Sequence, residues 1–283
     1  MFRTLGTCAV AAGPAVSAMA AAPKPAPRSD AVAMMYDATV CIGCKACVAA
    51  CTTANGLIPD TKLGGGLWQM PADLNAQTKN IILLARDGDE MSFVKKQCMH
   101  CLDPACVAGC PFNALTKGEY GVVEWEASRC IGCRYCEISC PFDVPRFEWT
   151  EFNPRIVKCE MCNFRLAKGE QPACTDVCPT HAVIFGTRAD LLAEAKRRIA
   201  TSPGKYFENR VYGEGDLGGT QVFYLSHLPF DKLGLPSGTA SRAHEGTKVH
   251  NTLYKGMIIP TAIYAVLVAA IRRRFHGTHE DQL

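Results

Sequence analysis

Apolar residues fall along this chain in short runs, and the period of each run predicts an element. "IILLAR" at 81–86 and "MSFVKK" at 91–96 are rich in β-formers and read as two strands. "GVVEWE" at 121–126 reads as a third, shorter strand. "TRADLLAEAKRRI" at 187–199 repeats its apolar residues at helical spacing, with basic residues near its C-terminus, where they suit the dipole. The longest run is "GMIIPTAIYAVLVAAI" at 256–271, which carries no charge. Its sixteen residues reach about 24 Å as a helix, and Leu253, Tyr254 and a snorkelling Lys255 extend it towards the roughly 30 Å of a bilayer core.

The flanks of that run decide its role. Arg272, Arg273 and Arg274 follow at once, as expected of a membrane anchor rather than a buried core helix. The positive-inside rule then leaves the tail, 275–283, in the cytoplasm and the body on the other face. At the other end, residues 1–22 form a weakly hydrophobic, small-residue stretch with an A-x-A cleavage pattern at Ala18-Met19-Ala20. Removal of this signal-like segment would discard Cys8. A proline- and alanine-rich linker, 23–33, follows, and 203–252 is polar and glycine-rich, expected to drape over the body as an extended docking segment.

Composition adds one decisive fact. The net charge of +3 is mixed along the chain and points to no nucleic acid, but seventeen cysteines are too many for an ordinary core. Sixteen fall into four quartets: "CIGCKACVAAC" (Cys41, Cys44, Cys47, Cys51), "CMHCLDPACVAGCP" (Cys98, Cys101, Cys106, Cys110), "CIGCRYCEISCP" (Cys130, Cys133, Cys136, Cys140), and "CEMC" with "CTDVCP" (Cys159, Cys162, Cys174, Cys178). Disulfide scaffolds need no three-residue metre, and zinc sites pair two C-x-x-C knuckles across a longer spacer. Three cysteines at every third residue, then x-x-x-C-P, are the bacterial iron–sulfur run, in which the fourth thiol serves the neighbouring cluster. A zinc-stabilised, membrane-tethered binding module remains the alternative of another class.

Connection lengths suggest how the quartets pair. Nineteen residues separate Cys110 from Cys130, so the second and third motifs are expected to form one ferredoxin module, inserted within another made by the first and fourth. The rival, pairing the first with the second, would have to close across 52–97. The nested arrangement predicts four metal sites: Cys41, Cys44, Cys47 with Cys178; Cys159, Cys162, Cys174 with Cys51; Cys98, Cys101, Cys106 with Cys140; and Cys130, Cys133, Cys136 with Cys110. The expected fold class is α+β, two nested bacterial-type 2[4Fe–4S] modules at 34–202 with a β-rich insert at 52–97, plus a C-terminal transmembrane helix at 253–274. Four [4Fe–4S] clusters without an open coordination position make a wire, and no nucleophile–base pair or phosphate loop points to catalysis by the chain alone.

Several residues are expected to play lesser parts. His100 sits inside a ligand loop but is discounted as a ligand, because four thiols fill the site; it is read instead as a hydrogen-bond donor beside the cluster or as a surface residue. Lys45 and Arg134 read equally as potential-raising charges or as solvated loop charges. Trp68, Trp125, Tyr135, Phe112 and Phe142 are expected to pack around the clusters.

"KKQCMHC", "CIGCRYCEISCPFDVPRF" and "AVIFGTRADLLAEAKRR" resemble the iron–sulfur subunits of the dimethyl sulfoxide reductase and formate dehydrogenase families. Within that group, "GGTQVFYLSHLPFDKLGLPS" and "HNTLYKGMIIP" followed by the arginines are similar to the HybA family, ferredoxin-like subunits of membrane-bound nickel–iron hydrogenases. The resemblance, over about 34–274, implies a periplasmic electron-transfer subunit at the inner membrane. It implies as partners a hydrogenase small subunit with its large subunit, a NrfD-like (HybB-like) integral membrane subunit that reacts with quinone, and the lipid bilayer. An equivalent subunit of a formate dehydrogenase or another molybdopterin enzyme is the neighbouring reading. Members of the family carry a twin-arginine export signal, whereas only Arg3 stands in the N-terminal stretch. An arginine pair directly before Met1 would complete the R-R-x-F pattern; otherwise export alongside a partner that carries the signal is expected.

Overall fold

A computed structural model of the chain describes residues 31–59, 71–151, 154–238 and 243–276. The signal-like segment with Cys8, the linker up to residue 30, Gly64 to Gly66, Trp68 and the tail from 277 lie outside the described residues. The elements in chain order are β1 (Val32–Asp37), α1 (Ala46–Ala54), β2 (Asn80–Asp87), β3 (Glu90–Gln97), α2 (Ala105–Ala108), β4 (Leu115–Lys117) and β5 (Val123–Trp125). There follow α3 (Tyr135–Ser139), β6 (Arg146–Phe147), β7 (Ile156–Val157), α4 (Asn163–Leu166), α5 (Ala173–Asp176), β8 (Val183–Thr187), α6 (Arg188–Thr201), β9 (Val222–Leu225) and α7 (Ala243–His276).

Strand β1 is apolar on both faces, so it needs cover on each side and neighbours along both edges. It is the middle strand of a three-stranded sheet, with β8 antiparallel and β9 parallel, so that Met35 lies opposite both Ile184 and Phe223. On one face Ala33, Met35, Phe223 and Leu225 meet Leu191 and Ala195, one helical turn apart on α6. On the other face Met34, Tyr36, Val222 and Tyr224 join the core that contains Cys47 and Cys174. The sheet is therefore a partition between α6 and the cysteine-bearing body.

Helix α6 matches the amphipathic run read from the sequence, and its start is capped. Thr187 Oγ1 accepts from the Asp190 N–H at 3.2 Å and donates to the Asp190 carboxylate at 2.7 Å. At its other end Arg198 donates to the buried carboxylate of Asp37 at 3.0 Å. That carboxylate also accepts from Tyr206 Oη at 3.1 Å and from Thr39 N and Oγ1 at 3.0 and 2.6 Å. Removing it leaves the Tyr206 hydroxyl without this acceptor and Arg198 with only one of its two carboxylate partners, Glu194 at 2.9 Å. Asp37→Ala is expected to cost about 3 kcal/mol, measured as a lower midpoint in anaerobic denaturant titration.

β2 and β3 pair in register from Asn80–Gln97 to Asp87–Glu90, closed by Gly88 and Asp89. Tyr36 Oη donates to the Phe93 carbonyl at 2.7 Å and Tyr224 Oη donates to the Lys95 carbonyl, which fastens this hairpin to the sheet. β4 pairs with β5, and β6 with β7.

Two boundaries differ from the sequence reading. The polar stretch 203–252 does not merely drape over the body: it contributes β9, all four residues of which are buried in the sheet. Its helix α7 also begins at Ala243, ten residues before the expected anchor. Polar, glycine-rich flanks hide β9 from any period-based reading, because four residues are too few to show one. β1 likewise starts at Val32, inside the stretch read as linker. Within α7, Gly256–Arg273 is apolar enough to cross a membrane and none of it is buried against the body. Pro260 removes one N–H there, and Thr261 Oγ1 donates to the Met257 carbonyl at 2.7 Å. α7 touches the body at α2.

Candidate iron–sulfur centres

The four C-x-x-C loops share a backbone device. The residue before the second cysteine has positive φ in all four: Gly43 (67°), His100 (47°), Gly132 (69°) and Met161 (51°). That turn bends the chain between the two cysteines of each pair. Gly43 has a second reason to lack a side chain, because a Cβ there would lie 2.4 Å from the Phe93 ring. In the first and third motifs the following residue, Lys45 or Arg134, is also left-handed and starts a helix, placing Cys47 on α1 and Cys136 on α3. Short helices carry cysteines in the other two motifs as well, Cys106 on α2 and Cys174 on α5. α1 packs on α5 and α2 on α3, bringing the first motif to the fourth and the second to the third.

Cysteines distant in sequence are thereby gathered. Cys41, Cys44, Cys47 and Cys178 line one cavity, with Ile42, Ile82 and Pro179. Cys110, Cys130, Cys133 and Cys136 line another, with Phe112, Leu115 and Ile131. The remaining eight form two groups identified by their mutual electrostatics. Burial pushes the Cys101 thiol well up, and Cys98, Cys140 and Cys106 push it further. Burial raises Cys51 to about 12, assisted by Cys159 and Cys162; Cys174 is raised by burial and by Cys159 and Cys51. The groups also touch in sequence: Cys174 senses Cys47, Cys98 senses Cys159, and Cys136 senses Cys106. Cys44 and Cys133, in the outermost groups, are exposed, while Cys51, Cys159, Cys162 and Cys174 are all buried.

Such a set of thiols asks for a polynuclear, thiophilic group. All sixteen cysteines among the described residues are free. No three or more Cys, His, Asp or Glu side chains among the described residues converge on a point that could hold a single ion. A tetrahedral zinc, with bonds of about 2.3 Å, needs such convergence, whereas thiols spread around a cavity suit a cluster. Backbone donors already point at sulfur: Ala114 N to Cys110 Sγ at 3.2 Å and Met161 N to Cys159 Sγ at 3.3 Å, with Asn55 Nδ2 at 3.5 Å from Cys51 Sγ. Without iron, burial drives these thiols towards the neutral form, so cluster insertion must displace protons.

The lesser residues find definite places. His100 is fully buried and so not a surface residue; its Nδ1 accepts from Val123 N at 3.0 Å, which leaves the proton on Nε2, and Nε2 has no partner among the described residues. Burial, with Lys158 and Lys117, holds its pKa well below the usual value, so it is neutral. Arg134 is not a solvated charge: its guanidinium lies 4.0 Å from the centre of the Trp149 ring, a stacking partner that sequence reasoning missed. Phe142 is buried, and Phe112 lines the Cys130 cavity while about half exposed; Tyr135 is likewise about half exposed. Together with Ile131, Ile138 (82% exposed) and Trp149 (62%), Phe112 and Tyr135 make up an exposed apolar collar drawn largely from the third motif, which also holds exposed Cys133.

Comparison with known proteins agrees with this geometry. The model of the 4Fe-4S dicluster domain matches residues 89–188, which hold the second, third and fourth motifs. Hydrogenase-2 operon protein HybA of Escherichia coli O157:H7 is 38% identical, the alignment covering 98% of this chain and 94% of the relative. The iron–sulfur subunit of the nitrate-inducible formate dehydrogenase of Escherichia coli K12 is 34% identical over 87% of this chain and 84% of its own length. The formate dehydrogenase-O iron–sulfur subunit of the same strain is 33% identical, with 93% and 88% covered. With likeness running nearly end to end and the cysteine groups assembled in space, this chain belongs to the family of iron–sulfur subunits that includes HybA.

Proposed function

We propose that the chain is the electron-transfer subunit of a membrane-bound oxidoreductase, relaying electrons between a periplasmic nickel–iron hydrogenase small subunit and a NrfD-like integral membrane subunit that exchanges them with quinone. The carrying observation is that four cysteine groups stand in series, with exposed cysteines in the first and last. Cys41, Cys44, Cys47 and Cys178 hold one centre at one end; then come Cys51, Cys159, Cys162 and Cys174; then Cys98, Cys101, Cys106 and Cys140; and finally Cys110, Cys130, Cys133 and Cys136. A [4Fe–4S] cluster in each group supplies one-electron acceptance and release. The chain's own part is to fix spacing, exclude water from the middle of the series and leave its ends open. This is the nested two-module plan, supported by the packing of α1 on α5 and α2 on α3.

The contact between α7 and α2 orients the series. Because α2 also packs on α3, the helix of Cys136, the contact supports a reading in which the Cys130 end lies nearest the bilayer, with α7 as anchor, its arginines on the cytoplasmic face and the body in the periplasm. The opposite end, at exposed Cys44, is then free for the hydrogenase. Anaerobic purification followed by iron and sulfide analysis tests the reading: about sixteen of each per chain are expected for four cubanes, and zinc without sulfide would defeat it. The formate dehydrogenase relatives favour a second reading, the same relay beside a molybdenum enzyme. A neighbouring gene that encodes nickel-binding C-x-x-C motifs, as against a pterin-binding subunit, separates the two.

The apolar collar gives a test of the membrane end. Ile138→Asp places a charge on the most exposed collar residue without touching a cysteine. Iron content and reduction by dithionite should be unchanged, while electron transfer to the membrane subunit should fall on the order of tenfold or more, as for a residue at the centre of an interface. Unchanged transfer would place the docking face elsewhere.

A further inference from the structure

Two lysines are buried more completely than lysines are in ordinary proteins. Lys95 is 0% exposed and Lys158 2%, and neither has a carboxylate partner among the described residues. Lys95 Nζ donates to Gln97 Oε1, and Lys158 Nζ donates to the carbonyls of Val123 and, at 3.2 Å, Cys159. Nearby cations at the surface are differently arranged: Lys79 pairs with Glu160, and Arg165 with Asp176 and Glu170. Their charge is spent locally. A buried ammonium without a counter-ion costs several kcal/mol, so the fold keeps these two only if something anionic lies beside them.

What lies beside them is cysteine. Lys95 shares its face of β3 with Gln97, whose ladder partner Asn80 donates to the Cys47 carbonyl at 3.5 Å on α1, the helix that carries both Cys47 and Cys51. Lys95 thus stands at the boundary between the Cys41 group and the Cys159 group. Lys158 acts on Cys98 and Cys106, and its side chain reaches Val123, the residue whose N–H binds His100. Each inner group therefore has one fully buried cation. The cavity around Cys130 is lined by two arginines, neither of them fully buried: Arg129 is exposed, and Arg134 is partly exposed and stacked on Trp149.

We propose that Lys95 and Lys158 are fixed counter-charges of the two inner iron–sulfur centres, raising the reduction potential of each and so favouring the electron in the middle of the series. The inference rests on the reading that the cysteine groups hold [4Fe–4S] clusters. Reduction adds one negative charge, and a nearby cation stabilises the more negative state in proportion to how little water screens it. Buried charges meet that condition; the loop charge Arg134 meets it poorly. Lys95 and Lys158 are positioning residues in this sense, since they set the energy of an electron without carrying it.

The test uses the full-length chain, purified anaerobically, with its centres followed by electron paramagnetic resonance during a redox titration. Iron and sulfide are measured first on the unaltered chain; their absence defeats the cluster reading and not this one. Lys158→Met and Lys95→Met keep length and remove charge, while Lys158→Arg and Lys95→Arg keep charge. In each methionine variant one inner centre should show at least a tenfold larger oxidised-to-reduced ratio at fixed potential, equivalent to a midpoint lowered by about 59 mV for a one-electron couple. The arginine variants should stay near the parent. Unchanged midpoints in both methionine variants, or equal shifts in the arginine variants, would overturn the proposal. If a methionine variant fails to retain iron, retention by its arginine counterpart supports the role of charge, and loss in both overturns it.

Discussion

Cys140→Ser is expected to remove the centre held by Cys98, Cys101 and Cys106, although Cys140 lies in a different motif. The thiol sits in the tail of the third quartet, yet its electrostatic partners are Cys101 and Cys106 of the second. Iron should fall from about sixteen to about twelve per chain, or to an intermediate value if a three-iron remnant survives. Resonances of the centre at Cys110, Cys130, Cys133 and Cys136 should persist. Because the lost centre is an inner one, transfer from the hydrogenase side to the membrane side should be nearly abolished, while dithionite should still reduce the centres that remain. Selective loss at the Cys130 group would mean that each motif serves its own cluster.

The second large effect concerns the anchor. A chain ending at Lys255 lacks the whole apolar segment Gly256–Arg273, no part of which is covered by the body. Each Ile, Leu or Val in it favours the bilayer by about 0.3–0.6 kcal/mol, and only the terminal arginines oppose. The truncated chain should move almost wholly from the membrane pellet to the soluble fraction after a high-salt wash. It should keep its iron, because all sixteen cysteines of the four groups lie before the cut, and lose electron delivery to quinone. Retention in the pellet would show that the apolar collar holds the subunit to its membrane partner without help from the helix.

Much of this is legible in the chain itself where the signal is local. The strands "IILLAR" and "MSFVKK" and the helix after Thr187 form where their periods say, because each spans enough residues to display one. The cysteine spacing likewise points to a 4Fe-4S protein, and the matching family model agrees. Long-range features are another matter. β9 lies beside β1 only after some 180 residues of intervening chain, and nothing in "VFYL" announces a parallel partner. Lysine is ordinarily read as surface, so the burial of Lys95 and Lys158 leaves no mark in a composition or a period. Arg134 and Trp149 are fifteen residues apart and meet only because α3 and β6 fold back on each other.

The repeated turn of the C-x-x-C loops has a consequence for insulation. Its third position is glycine in the two end groups, at Gly43 and Gly132, and a full side chain in the two inner ones, at His100 and Met161. Those two side chains are buried, whereas the cysteines that follow the two glycines, Cys44 and Cys133, are exposed. The conductor is thus sheathed along its length and bare at its terminals: thin covering where a partner must come close, thick covering where water or oxygen would short the circuit.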